Sequence, residues 1–143
     1  MKNKEPDRLY VKKEYLADYK RLLDKDSPLR KKDAKNIFLM AMAIGFKKGM
    51  RIELGSKKEG YVRAEYLNNE EKTLIKSIAV HENKKLQILL DKNNAYSIAE
   101  EFSAGGIKLL KDLVFSQKGG SFIKKIESDL IEESENISKK KVE

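Results

Sequence analysis

The 143-residue chain contains no cysteine and a single histidine, His81. Without cysteine there is no disulfide, no thiol nucleophile and no cysteine-ligated metal. One histidine argues against zinc as well, so neither a metal nor a cofactor is expected. No apolar run comes near the roughly 20 residues needed to span a membrane. The start, MKNKEPDRLYV, lacks the apolar core of a secretion signal. The cytoplasm is the expected compartment. Apolar residues are a little scarce, at 40%, while 38% of the chain is charged. At this length that still allows one domain with a real core. No internal repeat is visible.

Positive charge is in excess, and it is uneven. The net charge is +8; residues 1–64 hold 18 Lys/Arg against 9 Asp/Glu, a net of +9, and residues 65–143 hold 13 against 14, a net of −1. The amino half is therefore the better face for a polyanion such as nucleic acid. The plainer reading is a lysine-rich chain with solvated helix faces, because net charge bears on solubility before function.

The most apolar stretch is Lys35 to Gly49, KNIFLMAMAIGFKKG. A helix apolar on nearly all sides must be buried on nearly all sides, so this segment is read as the centre of the core. Asp33 is placed to cap its start, and Gly49 to end it in a left-handed turn. Before it, Leu9-Tyr10-Val11 reads as a short strand. Tyr15, Leu16, Tyr19, Leu22 and Leu23 give one helical face over residues 12–25. Ser27-Pro28 stops that helix.

After the central helix, residues 51–67 alternate around a Gly-rich link and fit a small β-hairpin or an irregular excursion. Asn68 and Glu71 have the spacing of a capping box for a helix running to about Asn83. Leu86 to Leu90 adds a short apolar turn. Asn93-Asn94 is read as the cap of a further helix, which Ala104-Gly105-Gly106 interrupts or kinks. Gly119-Gly120 is a break, and Ser121 caps a last helix. The chain thus reads as mainly α, a single-domain helical bundle with a short β-strand or hairpin over residues 9–11 and 51–67. A loose segment, 1–8, precedes the domain at 9–133, and a charged tail, 134–143, follows it.

Chemistry-bearing residues are few. His81 has no partner nucleophile or second base in view and reads as a helix-end histidine. Glu100-Glu101 and Glu132-Glu133 are paired acids, but neighbours on a helix point about 100° apart. They read as solvated faces. Gly105-Gly106 and Gly119-Gly120 lack the strand-before-helix setting and the Lys-Ser/Thr of a phosphate loop, and read as close helix packing or breaks. No catalytic residue is assigned.

The basic residues carry more. Arg30, Lys31, Lys32 and Lys35 gather at the start of the central helix, and Lys47, Lys48 and Arg51 at its end. Lysines near a helix C-terminus stabilise it anyway. Those at the start do not, and they suit phosphate together with free backbone N–H groups. These seven residues are the candidate nucleic-acid contacts. A strand followed by two helices also resembles a ribbon-helix-helix DNA-binding unit, in which Arg8, Tyr10 and Lys12 would face DNA from a strand paired with its own copy.

Two segments, Ala43-Ile-Gly-Phe-Lys-Lys-Gly49 and Phe102-Ser-Ala-Gly-Gly-Ile107, resemble motifs of the DNA phosphorothioation-associated protein 4 family, also called dnd system-associated protein 4. Serine stands at 103 where the family motif usually has alanine. Order, spacing and length agree over nearly the whole chain. The resemblance implies a non-enzymatic accessory or adaptor of a prokaryotic DNA-modification and restriction (defence) system, in which sulfur replaces a non-bridging oxygen of the DNA backbone. Its expected partners are proteins of a modification or restriction complex, together with DNA through the basic amino half. The rival expectation is a dimeric ribbon-helix-helix regulator.

Overall fold

A computed structural model describes residues 6–116 and 130–132. In chain order it contains strand β1 (Arg8–Lys12), helix α1 (Leu16–Arg21), helix α2 (Ala34–Lys48), strand β2 (Lys58–Arg63), helix α3 (Asn69–Asn83) and helix α4 (Lys92–Val114). Short 3-10 turns occupy Lys13–Tyr15, Ala64–Tyr66 and Leu86–Leu90. The protein is mainly α with one small antiparallel sheet. No described helix is long and apolar enough to cross a membrane.

Helix α2 is the central rod. Ile37 to Met42, Ile44 and Gly45 are all buried. Its start is closed by a capping box: the Asp33 carboxylate accepts from the Asn36 amide, and the Asn36 side chain accepts from the Asp33 amide. Two of the orphan N–H groups at the helix start are thereby satisfied. Gly49 ends it at φ +66°, the left-handed turn that glycine adopts cheaply. Asn68 and Glu71 form the expected box on α3, each bond 2.8 Å long.

The largest helix contact is between α2 and α4, and it is glycine-mediated. A Cβ on Gly45 would lie 1.9 Å from the Phe102 carbonyl oxygen, one on Gly106 1.9 Å from that of Ala41, and one on Gly105 2.0 Å from that of Met50. Residues 104–106 therefore do not interrupt or kink α4, which runs through them unbroken. Each helical glycine costs about 1 kcal/mol of propensity, and close backbone packing offsets it. The cap of α4 is Asp91, which accepts from the Asn94 amide, and not Asn93-Asn94.

Two other expectations shift. The helix expected over 12–25 is a 3-10 turn followed by the short α1, ending at Arg21. Ser27 is responsible locally: its hydroxyl donates to the Leu22 carbonyl and accepts from the Leu29 amide. The turns this holds drop both leucines into the core. In the sheet, β2 pairs with β1, 50 positions away at Tyr10 and Gly60, and not with residues 52–54. Leu9, Val11 and Val62 point inward from the ribbon and are buried. Arg8, assigned above to the loose start, begins β1, and the Asp7 carbonyl accepts from Ala64. The Gly119-Gly120 break, the Ser121 cap and the 134–143 tail lie outside the described residues. Of the last expected helix, Leu130–Glu132 are helical, and Leu130 packs on the core.

Candidate nucleic-acid interface

The structure separates the seven candidate cations into two groups with different surroundings. A 15-residue helix is about 22 Å long, so the two ends of α2 are not one patch. At its start, Arg30, Lys31 and Lys32 lie exposed in the turns preceding Asp33. The Arg30 guanidinium donates to the Ser27 carbonyl at 3.3 Å. Lys35 differs from them. Its ammonium sits 3.1 Å from the Glu71 carboxylate and donates to the Tyr66 carbonyl at 3.2 Å. It ties α2 to the capping residue of α3.

At the other end, Lys47 and Lys48 are exposed, whereas Arg51 is an internal clamp. Its Nε lies 2.6 Å from Glu101 on α4 and its Nη1 3.2 Å from Glu82 on α3. Its backbone neighbour Ile52 also donates to the Glu101 carbonyl. Hydrogen bonds and ion pairs with Glu101 and Glu82 hold the guanidinium more firmly protonated than usual, against the opposing effect of burial. An arginine paired with two carboxylates offers little to phosphate. Glu101 is accordingly a structural partner rather than part of a solvated face.

A third set of cations emerges from the pairing of β1 with β2. Residues directly opposite in the ladder point to the same side. The outward pairs are Arg8 with Arg63, Tyr10 with Gly60, and Lys12 with Lys58. Arg8 lies across Gly60, where a Cβ would meet its Cδ at 2.9 Å. The Lys58 ammonium stands 4.8 Å from the centre of the Tyr10 ring. Glu14 and Glu65 pair with Lys12 and Arg63. Both carboxylates are well over half exposed, so these pairs are weak, but Lys12 also donates to the Glu53 carbonyl at 3.2 Å and is largely covered. Lys58 and Arg63 escape sequence reasoning because their strand has a distant partner. The only signal was the Arg8-Tyr10-Lys12 alternation.

On its other edge β1 is engaged at Tyr10. The Tyr10 amide, pointing away from β2, donates to the Glu100 carboxylate at 2.7 Å. A second copy of β1, as a ribbon-helix-helix dimer pairs it, would have to displace this bond.

Glu100 is buried, against the expectation of a solvated acid. Burial pushes its carboxyl up to about 7; the Tyr10 amide and the charge of Lys58 oppose that rise, and Glu101 adds to it. Such a value would suit acid–base chemistry. However, Glu100 borders neither of two open hollows, one of about 410 Å³ near Arg8 and Lys72 and one of about 440 Å³ near Arg21 and Phe115. Its bond to a backbone amide gives it a structural task.

Nearby, the Tyr19 and Ser103 hydroxyls are 2.8 Å apart, and Ser103 donates to the Phe38 carbonyl at 3.2 Å. Since Ser103 has one proton, Tyr19 must be the donor to it. Burial pushes the Tyr19 phenol well above its ordinary value. His81 packs edge-on against Phe46, ring centres 5.1 Å apart. Among the described residues no group of three or more His, Asp or Glu could hold a metal.

The two segments that carry the family resemblance meet face to face. Gly45 abuts Phe102, Gly106 abuts Ala41, and Phe46 packs edge-on against Phe102 with ring centres 5.5 Å apart. These motifs thus encode the α2–α4 contact, and Ser103 sits in it as the polar link to α1. No curated protein and no solved structure matches the chain. The sequence profile of the family described as DNA sulphur modification system-associated protein 4 matches residues 12–143. Over nearly its whole length, then, the chain belongs to the DNA sulphur modification system-associated protein 4 family.

Proposed function

We propose that the protein is a non-enzymatic accessory of a DNA sulphur-modification system. It binds proteins of the modification or restriction complex and contacts DNA through its basic amino half, acting in the cytoplasm in defence against foreign DNA. Family membership supports the system. The observation that carries the DNA contact is the net charge of +9 on residues 1–64, with Arg30, Lys31 and Lys32 exposed on one turn segment. Phosphate neutralisation by such residues is sequence-independent and salt-sensitive. An adaptor with this surface holds a protein complex on DNA without reading a sequence.

Retention on an immobilised-DNA column, eluted with a salt gradient, tests this reading. The triple replacement of Arg30, Lys31 and Lys32 by glutamate should elute at lower salt than the wild type while melting at the same temperature. Equal retention of the two proteins would remove these residues from the interface. Failure of the wild type to bind at all would remove the DNA contact.

A further inference from the structure

The β1–β2 ribbon contains an arrangement that strand stability does not explain. Of its three outward cross-strand pairs, two set like charges directly opposite each other: Arg8 against Arg63, and Lys12 against Lys58. Like charges at opposed positions destabilise strand pairing. The third pair is Tyr10 with Gly60, and the missing side chain at Gly60 is what lets Arg8 lie flat over the ribbon. On the inner face Leu9, Val11 and Val62 are buried in the core, and Glu59, opposite Val11, is exposed at its margin. The outer face therefore concentrates four cations and one aromatic ring on a twisted two-stranded ribbon, a repulsion that the exposed Glu14 and Glu65 offset only weakly.

A polyanion would relieve that repulsion. Arginine and lysine side chains on such a face are the groups that neutralise backbone phosphates. The start of α2 adjoins the Arg63 end of the ribbon, since Lys35 bonds the Tyr66 carbonyl just beyond β2. The exposed turn of Arg30 to Lys32 extends from that end.

We propose that the outer face of the β1–β2 ribbon is a docking surface for the phosphodiester backbone of DNA, with Arg8, Arg63 and Lys58 as its phosphate ligands; Lys12, held by the Glu53 carbonyl and Glu14, supports the face without being a ligand. This rests on the DNA contact proposed above and names its principal element. Tyr10 fills the centre of the face, its ring held beside Lys58. Arg8 and Arg63 also border the hollow of about 410 Å³, together with Lys72 and the acids Asp7 and Glu65.

The test is anisotropy of a labelled DNA duplex, and of the corresponding single strand, titrated with the full chain over a range of salt. The variant is R8Q/R63Q, which removes one like-charge pair and leaves Lys58 beside Glu100 undisturbed. It should bind on the order of tenfold more weakly, with a salt slope shallower by about 2. Its melting temperature should stay level or rise, which separates lost contact from lost fold. Weakening on the duplex identifies duplex backbone as the ligand. Weakening on the single strand alone identifies single-stranded backbone. Wild-type binding that R8Q/R63Q leaves intact, while the Arg30, Lys31 and Lys32 replacement abolishes it, would overturn the ribbon and leave the DNA contact standing. No wild-type binding to either DNA would overturn both.

Discussion

The Tyr10 amide donates to the Glu100 carboxylate at 2.7 Å across 90 positions of sequence. This bond ties the ribbon to α4 at a buried acid whose carboxyl is raised to about 7 from an ordinary 4.5. Between those two values the folded chain keeps a proton that the unfolded chain has released. Stability from this group is therefore greatest at low pH. It falls as pH rises from 4.5 to about 7 and is flat above. Glu100→Gln keeps an acceptor for Tyr10 and removes the charge. The variant should lose this slope and gain on the order of 3 kcal/mol relative to wild type at neutral to mildly alkaline pH. Urea unfolding on both sides of the titration measures it. The same pH dependence in both proteins would show that Glu100 does not titrate in this window.

The α2–α4 contact predicts an order among alanine substitutions at glycine. Gly106→Ala drives a Cβ to within 1.9 Å of the Ala41 carbonyl oxygen, and Gly45→Ala one equally close to Phe102. Backbone cannot yield as a side-chain tip can, so the helices must separate, at about 3 kcal/mol or more. Gly49 has open space around it but φ +66°, so Gly49→Ala should cost only about 1 kcal/mol. Thermal melts should rank wild type above Gly49→Ala, and Gly49→Ala above the other two. A Gly106→Ala protein as stable as wild type would mean the helices are further apart than described.

Ser103 should be worth more than its size implies. Ser103→Ala removes the acceptor of a fully buried Tyr19 hydroxyl and should cost about 1–3 kcal/mol. Adding Tyr19→Phe removes the orphaned group as well, so the double variant should lose less than the sum of the singles. Strict additivity in a denaturant cycle would refute the link.

Arg51 separates structural cations from binding ones. Arg51→Met leaves Glu82 and Glu101 without their partner and should lower stability by about 1 kcal/mol, since the groups are partly exposed. That corresponds to about 4 °C in a domain of this size. DNA retention should not change. A retention loss as large as that of the Arg30, Lys31 and Lys32 replacement would return Arg51 to the interface.

Much of this molecule is local, and the local part is legible. Asp33 and Gly49 bracket α2, and Asn68 with Glu71 opens α3, because a cap is a contact between residues three or four apart. The apolar run from Ile37 to Ile44 had to be buried, since no helix face was left for water. Gly105 and Gly106 were legible as close helix packing or a break, and the structure shows close packing. The same residue breaks a helix or lets two helices touch, and only the neighbouring backbone decides which. The tertiary structure likewise decided the fate of each charge. Glu100 looks like a surface acid until β1 arrives to cover it, and Arg51 looks like a free cation until α3 and α4 bring two carboxylates to it. Arg8 and Arg63 become one surface only because two strands 50 positions apart pair. Periodicity and caps determined where α2 and α3 lie. Long-range packing, which one sequence does not encode by spacing, determined which charges are spent inside and which remain to meet a partner.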